Sequence, residues 1–136
     1  MKYMLDTNIC IYAIKKKPES VLKRLRSVAP SDVCVSAVTY AELMYGVEKS
    51  AAVEKNRLAL TMLLSNIEIL PFDTTAAMQY GRVRAELEKK GTPIGPLDTM
   101  IAGHAEAVGY TLVTNNAGEF ARVTGLSVEN WAEEGV

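Results

Sequence analysis

A chain of 136 residues fits one domain, 1–136, and its 49% hydrophobic and 23% charged residues can fill a core, which excludes collagenous, low-complexity and disordered classes. No apolar run nears the roughly 20 residues that span a bilayer, and Asp6 stands where an export signal would need its apolar stretch, so a cytoplasmic protein with no membrane partner is expected. With 15 Lys+Arg against 16 Asp+Glu there is no global basic field, and any contact with nucleic acid has to come from a local patch.

Tyr3-Met4-Leu5 is a short apolar run that stops at Asp6-Thr7-Asn8, a turn or helix-cap cluster. Ile9–Lys16 reads as a short helix, and Pro18 suits the first position of another, with Val21, Leu22 and Leu25 at helical spacing. Val33–Ser36 is β-prone. Val38, Ala41, Leu43, Met44 and Val47 predict a helix from Ala37 to about Ser50, and Ala51–Asn66 forms a second with Leu60, Leu63 and Leu64 inward. Ile67–Leu70 gives a strand stopped by Pro71. Thr74–Lys90 is a long helix with Ala77, Tyr80, Val83 and Leu87 on one face, closed by Gly91. The loop Gly91–Pro96 is the strongest break; Leu97–Val108 then reads as a helix, and Tyr110–Val113 as a strand stopped by Thr114-Asn115-Asn116. Alternating strands and helices without repeat or linker predict an α/β fold with a mainly parallel sheet.

Composition removes several chemistries. Cys10 and Cys34 lie in apolar contexts and read as buried small hydrophobes in a reducing compartment. Two cysteines and one histidine are too few for a four-ligand zinc site. A single histidine also excludes a two-histidine ribonuclease, and there is neither a Gly-x-Ser-x-Gly elbow nor a phosphate-cradling glycine loop. His104 is expected to hydrogen-bond on a helix flank. Carboxylates remain. In an open parallel sheet, ligands bind beyond the carboxyl ends of the strands. Asp6 follows the first strand, Glu42 lies on the helix after the second, Asp98 opens the helix after the Gly-Pro loop, and Asn116 and Glu119 follow the last strand. Each acid also has a structural explanation: Asp6 as an N-cap, Thr39-x-x-Glu42 as a capping box, Asp98 as an N-cap.

Basic residues cluster twice, at Lys15, Lys16, Lys17, Lys23, Arg24 and Arg26, and at Arg82, Arg84, Lys89 and Lys90 among Glu86 and Glu88. They are either solvated helix faces or phosphate contacts. The end is acidic, with Glu129, Glu133 and Glu134. A phosphoacceptor receiver domain would need an acidic pair after the first strand and a lone mid-chain aspartate, and has neither here.

Four stretches in order resemble the motifs of the PIN-domain family, and within it the VapC toxins of VapBC toxin–antitoxin pairs: Met4–Asn8, Ser36–Gly46, Pro93–Ala102 and Leu112–Asn116 with Glu119-Phe120. The resemblance runs from Met1 to about Trp131. It implies a three-layer α/β/α fold around a central, mainly parallel sheet, and a metal-dependent endoribonuclease in which Asp6, Glu42 and Asp98 are catalytic and hold Mg²⁺, with Mn²⁺ able to substitute. Many members place an aspartate where Asn116 stands, so Asn116 and Glu119 compete for the fourth position, and Thr7, Asn8 and Thr114 support the site. An inert RNA-binding member would have lost one of the first three acids. The resemblance further implies cleavage of structured RNA to a 5′-phosphate and a 3′-hydroxyl, initiator tRNA(fMet) cut in its anticodon loop with loss of translation, a VapB-type antitoxin as partner, and a homodimer. Lys15, Lys16, Lys17, Lys23, Arg24, Arg82 and Arg84 become candidate RNA contacts.

Overall fold

The computed structural model describes residues 2–133, so Glu134 of the acidic end lies outside the described residues. Strands β1 (Tyr3–Leu5), β2 (Val33–Ser36), β3 (Glu68–Leu70), β4 (Thr111–Val113) and β5 (Val128–Glu129) form one sheet in the order β3-β2-β1-β4-β5, every neighbouring pair parallel. Seven α-helices connect them: α1 (Thr7–Lys15), α2 (Glu19–Ser27), α3 (Ala37–Glu48), α4 (Val53–Leu64), α5 (Thr74–Lys89), α6 (Pro96–Val108) and α7 (Ala117–Phe120). Among the described residues, no helix is long and apolar enough to cross a membrane.

Side chains alternate across a strand, and the two faces of this sheet carry separate cores. Leu5, Val35 and Val113 pack on one face with Ile9, Cys10, Leu60 and Trp131. Met4, Cys34 and Leu112 pack on the other with Val83, Leu87, Ile101 and Phe120. This is the expected α/β/α sandwich, with α1, α3 and α4 over the first face and α5 and α6 over the second. Both cysteines are buried and free, and burial pushes both thiols up, leaving them unreactive. The chain lays β1, β2 and β3 outward in one direction and then returns to place β4 on the opposite side of β1. The crevice beyond the ends of β1 and β4 is therefore the switch point of the sheet.

Several boundaries differ from the sequence expectation. Helix α1 starts at Thr7 and not Ile9, because Asp6 caps it. Pro18 is the cap residue of α2, not its first helical position. On α5 the inward alanine is Ala76, whereas Ala77 is exposed, one residue off the expected stripe. The segment after Phe120 adds a strand the sequence does not announce: β5 is two residues long and pairs with β4 through Leu112 N–H to Ser127 O at 2.8 Å and Thr114 N–H to Glu129 O at 2.9 Å. Trp131 follows, packed edge-on against Tyr3 at 5.2 Å.

Helices α5 and α6 pack closely because Gly103 has no side chain: a Cβ there would lie 2.8 Å from the Cα and N of Tyr80. Gly103→Ala should therefore cost about 1–3 kcal/mol through forced separation of the two helices. Gly46, within α3 and with nothing within 4 Å of its ideal Cβ, is the control. Gly46→Ala should stabilise by about 0.5–1 kcal/mol. Urea midpoints of the two variants check both signs.

Candidate active site

Asp6 lies at the carboxyl end of β1, where its N–H donates to Val113 O of β4 at 3.0 Å and its Oδ1 accepts the Ile9 N–H at 2.9 Å. It is only 5% exposed. Capping and membership of an acidic site are thus one geometry, since the cap fixes the carboxylate at the switch point. Burial pushes the Asp6 carboxyl up from 3.8 to about 6, with the charges of Asp98 and Glu42 adding to the rise, while the Thr114 hydroxyl and the Ile9 amide oppose it.

The capping-box reading of Glu42 is overturned. Ser36 is the N-cap of α3, its Oγ accepting the Val38 N–H at 3.1 Å. The Thr39 hydroxyl is buried without a hydrogen-bond partner. Glu42 points instead to α1, where the Thr7 hydroxyl donates to its Oε1 at 2.7 Å. The N-cap reading of Asp98 fails as well: Gly95 holds that position, Pro96 follows it, and Asp98 sits in the first turn of α6. There the amino-terminal end of the helix favours a negative charge. Partial burial raises the Asp98 carboxyl above the usual carboxylate range, and Glu119 and Glu42 raise it further.

Glu119 does not pair with Arg122, whose Nη1 donates to Pro93 O at 3.2 Å. The Asn116 side-chain amide donates to Glu119 Oε2, so the two candidates for the fourth position form one unit facing Asp98. Thr114 accepts the Asn116 N–H at 2.9 Å. A polar rim adjoins these groups: Asn8 donates to Asn115 Oδ1 at 3.5 Å, and Asn115 donates to the Tyr12 hydroxyl at 2.9 Å. Sequence reasoning gave Asn115 and Tyr12 no role. The available signal was the four-residue step from Asn8 to Tyr12, one turn along α1.

The basic residues divide. Lys15, Lys16, Lys17 and Lys23 are exposed, and Lys15 lines one groove with Glu42, Ile11, Ile14, Leu43 and Leu60. Arg24 is tied to Glu129 at 2.9 Å and lies 5.1 Å from the Trp131 ring centroid. Arg84 bonds Tyr80 Oη at 2.8 Å and Glu88 at 3.2 Å, and Arg82 reaches only Gln79 at 3.5 Å.

Among the described residues, no three His, Cys, Asp or Glu side chains form a ready cage for a metal ion. Glu42 is turned to Thr7 and Glu119 to Asn116. The donor chemistry nevertheless fits a hard divalent cation: the groups are oxygen donors, and their mutual repulsion is what such a charge relieves.

A model of the PIN domain matches residues 3–126. The chain belongs to the PIN-domain family. Among curated relatives it is 49% identical over 131 residues to the tRNA(fMet)-specific endonuclease VapC of Salmonella typhimurium, covering 96% of this chain and 98% of that one. It is 48% identical over 132 residues to Ribonuclease VapC2 of Rickettsia felis, covering 96% and 98%. The fold of this PIN domain superposes on the DNA-bound VapBC of Salmonella typhimurium with a TM-score of 0.91, at 49% identity and with 96% of this chain and 98% of that chain covered. For VapBC2 of Rickettsia felis, bound to a DNA fragment from its promoter, the TM-score is 0.90 at 46% identity, with 96% and 99% covered.

Asp6 also sets a pH dependence. The folded chain holds this proton more tightly than the unfolded one, so the stability it contributes is complete below about pH 4 and is lost as pH rises through about 6. Asn caps helices as well as Asp does. In EDTA, Asp6→Asn should therefore melt above the parent at pH 7.5, with the difference vanishing near pH 4. A lower midpoint at pH 7.5 would mean that the carboxylate is retained for capping alone.

Proposed function

We propose that this chain is the toxin of a type II toxin–antitoxin pair, a Mg²⁺-dependent endoribonuclease that cuts initiator tRNA(fMet) in its anticodon loop and so stops translation in the cytoplasm. The observation that carries the reading is the convergence of Asp6, Glu42, Asp98 and Glu119 at the switch point of a PIN fold, in a chain 49% identical to a tRNA(fMet)-specific endonuclease over 98% of that protein. Asp6, Glu42 and Asp98 would hold the ion, and Mn²⁺ accepts the same donors. When bound, the ion supplies an activated water and offsets charge on the leaving oxygen.

The chain's own residues do the rest. Asp6 is fixed by its cap, and Thr7 holds Glu42 at the crevice, ready to release it. Asn116 keeps Glu119 directed at the site, and Asn8 and Thr114 support the two strand ends. Exposed Lys15, Lys16, Lys17 and Lys23 supply phosphate contacts, Lys15 from the groove that Glu42 also lines. Arg24, Arg82 and Arg84 are the weaker candidates because each already has a local partner. The apolar groove of Ile11, Ile14, Leu43 and Leu60, with Glu42 on its rim, suits a VapB-type antitoxin segment that brings an arginine to the acids. Exposed Tyr40 and Ile69, on α3 and the edge strand β3, favour a homodimer.

Purified protein incubated with total tRNA should cut one species in Mg²⁺ and none in EDTA, and primer extension should map the break to the anticodon loop. Intact tRNA under both conditions would overturn the proposal. Glu42→Gln and Asp98→Asn should each lower cleavage at least about a hundredfold. Of the amide–acid pair, Glu119→Gln should raise the Mg²⁺ concentration for half-maximal cleavage. Asn116→Ala should instead lower turnover at saturating metal, and a metal titration of both variants separates the two roles.

A further inference from the structure

His104, the single histidine of the chain, is 1% exposed and lies on α6 with its Nδ1 2.8 Å from the Oγ of Ser36, which is fully buried at the end of β2. The Ser36 oxygen also accepts the Val38 N–H. The Ser36 hydroxyl can donate to Nδ1 or, through its second lone pair, accept from it, and the imidazole is neutral in either tautomer. Burial lowers the His104 pKa, which keeps the ring in this form against the weaker opposing effect of Asp73. Phe72 closes the pocket edge-on at 5.4 Å.

The register is informative. Glu42 follows Ser36 by six residues, and Asp98 precedes His104 by six. Helix α3 packs on α6. Ser36 meets His104, and the charge of Glu42 adds to the rise of the Asp98 carboxyl. Ser36 caps α3, so this hydrogen bond ties the start of α3 to α6, about 9 Å along each helix from the acid that the helix carries. Thr39, between Ser36 and Glu42, has a buried hydroxyl without a partner.

We propose that the Ser36–His104 hydrogen bond is a clasp that holds α3 and α6 at fixed separation against the repulsion of Glu42 and Asp98, which makes His104 and Ser36 positioning residues for the acid pair. This rests on the reading of those two acids as the working site, but its physical content does not. A clasped pair stores the repulsion, whereas an unclasped pair relieves it by moving apart and must be drawn together again when a cation binds.

The test is a thermal double-mutant cycle in EDTA at pH 8, with the full chain. Asp98→Asn should raise the midpoint of the parent by about 5 °C. It should raise that of a His104→Leu protein by less than half as much, because the repulsion is already relaxed there. A merely structural histidine would leave the Asp98→Asn gain equal in both backgrounds, and that additivity would overturn the proposal. Direct Mn²⁺ binding, read from the free-ion electron spin resonance signal, should weaken about tenfold in His104→Leu. It should recover in His104→Gln, whose amide can accept from or donate to the Ser36 hydroxyl. Unchanged Mn²⁺ affinity in His104→Leu would also overturn it. If the leucine variant does not fold, Ser36→Ala takes its place in the cycle. In cleavage, kcat should fall with the KM for RNA unchanged. Parent protein that leaves RNA intact while the cycle stays non-additive would reject the nuclease reading and keep the clasp, and an additive cycle in an active nuclease would do the reverse.

Discussion

The buried carboxylate of Asp6 sets the terms for the rest of the site. A charge this deep is tolerated only where hydrogen bonds reach it, and Asp6 has the Ile9 amide and the Thr114 hydroxyl to provide them. The Ile9 amide belongs to the helix that Asp6 itself caps, and Thr114 is within reach because β1 and β4 are neighbours in the sheet. The fold thus brings like-charged groups together at its switch point. The cost is carried by the packing of the helices behind it. An acidic crevice of this kind is poorly stable alone and well disposed to a positive charge, whether a metal ion or a guanidinium.

Much of this was legible in the chain. Short apolar runs at Tyr3, Val33 and Tyr110, each stopped by polar turn residues, gave the parallel sheet, and the four motifs gave the family. The places of Asp6, Glu42 and Asp98 in the alternation of strands and helices allowed the three acids to meet at one rim. Less legible was what each acid does locally. Thr39-x-x-Glu42 has the spacing of a capping box, yet Ser36 reaches the helix end first and leaves Glu42 free for Thr7. Pro96 starts α6 two residues before Asp98, so that aspartate is inside the turn and not its cap. Glu119 offered an equally simple local partner in Arg122, but the arginine is taken by a backbone carbonyl.

The basic residues show the same limit. On sequence they form two clusters, the second diluted by Glu86 and Glu88, and both carry the same two readings. In the folded chain, α5 pairs its arginines along its own surface, whereas the lysines from the end of α1 onward stay exposed and Lys15 shares a groove with Glu42. Charge counting cannot separate these cases, because i,i+4 pairing and tertiary anchoring decide which cations remain available. The segment after Phe120 was silent for a different reason. A strand of two residues has no period to read.

That short strand has a consequence for how the chain comes to be folded. The segment matched by the family model ends at residue 126, yet β4 finds its outer hydrogen-bond partners only in Ser127 and Glu129, and Tyr3 and Arg24 meet Trp131. A growing polypeptide emerges from the ribosome amino end first. The first strand therefore waits for Trp131 before its core is closed, and the outer edge of β4 stays bare until Ser127 and Glu129 arrive. A PIN domain assembled in this order closes its sheet only once the strand beyond the matched segment has been made.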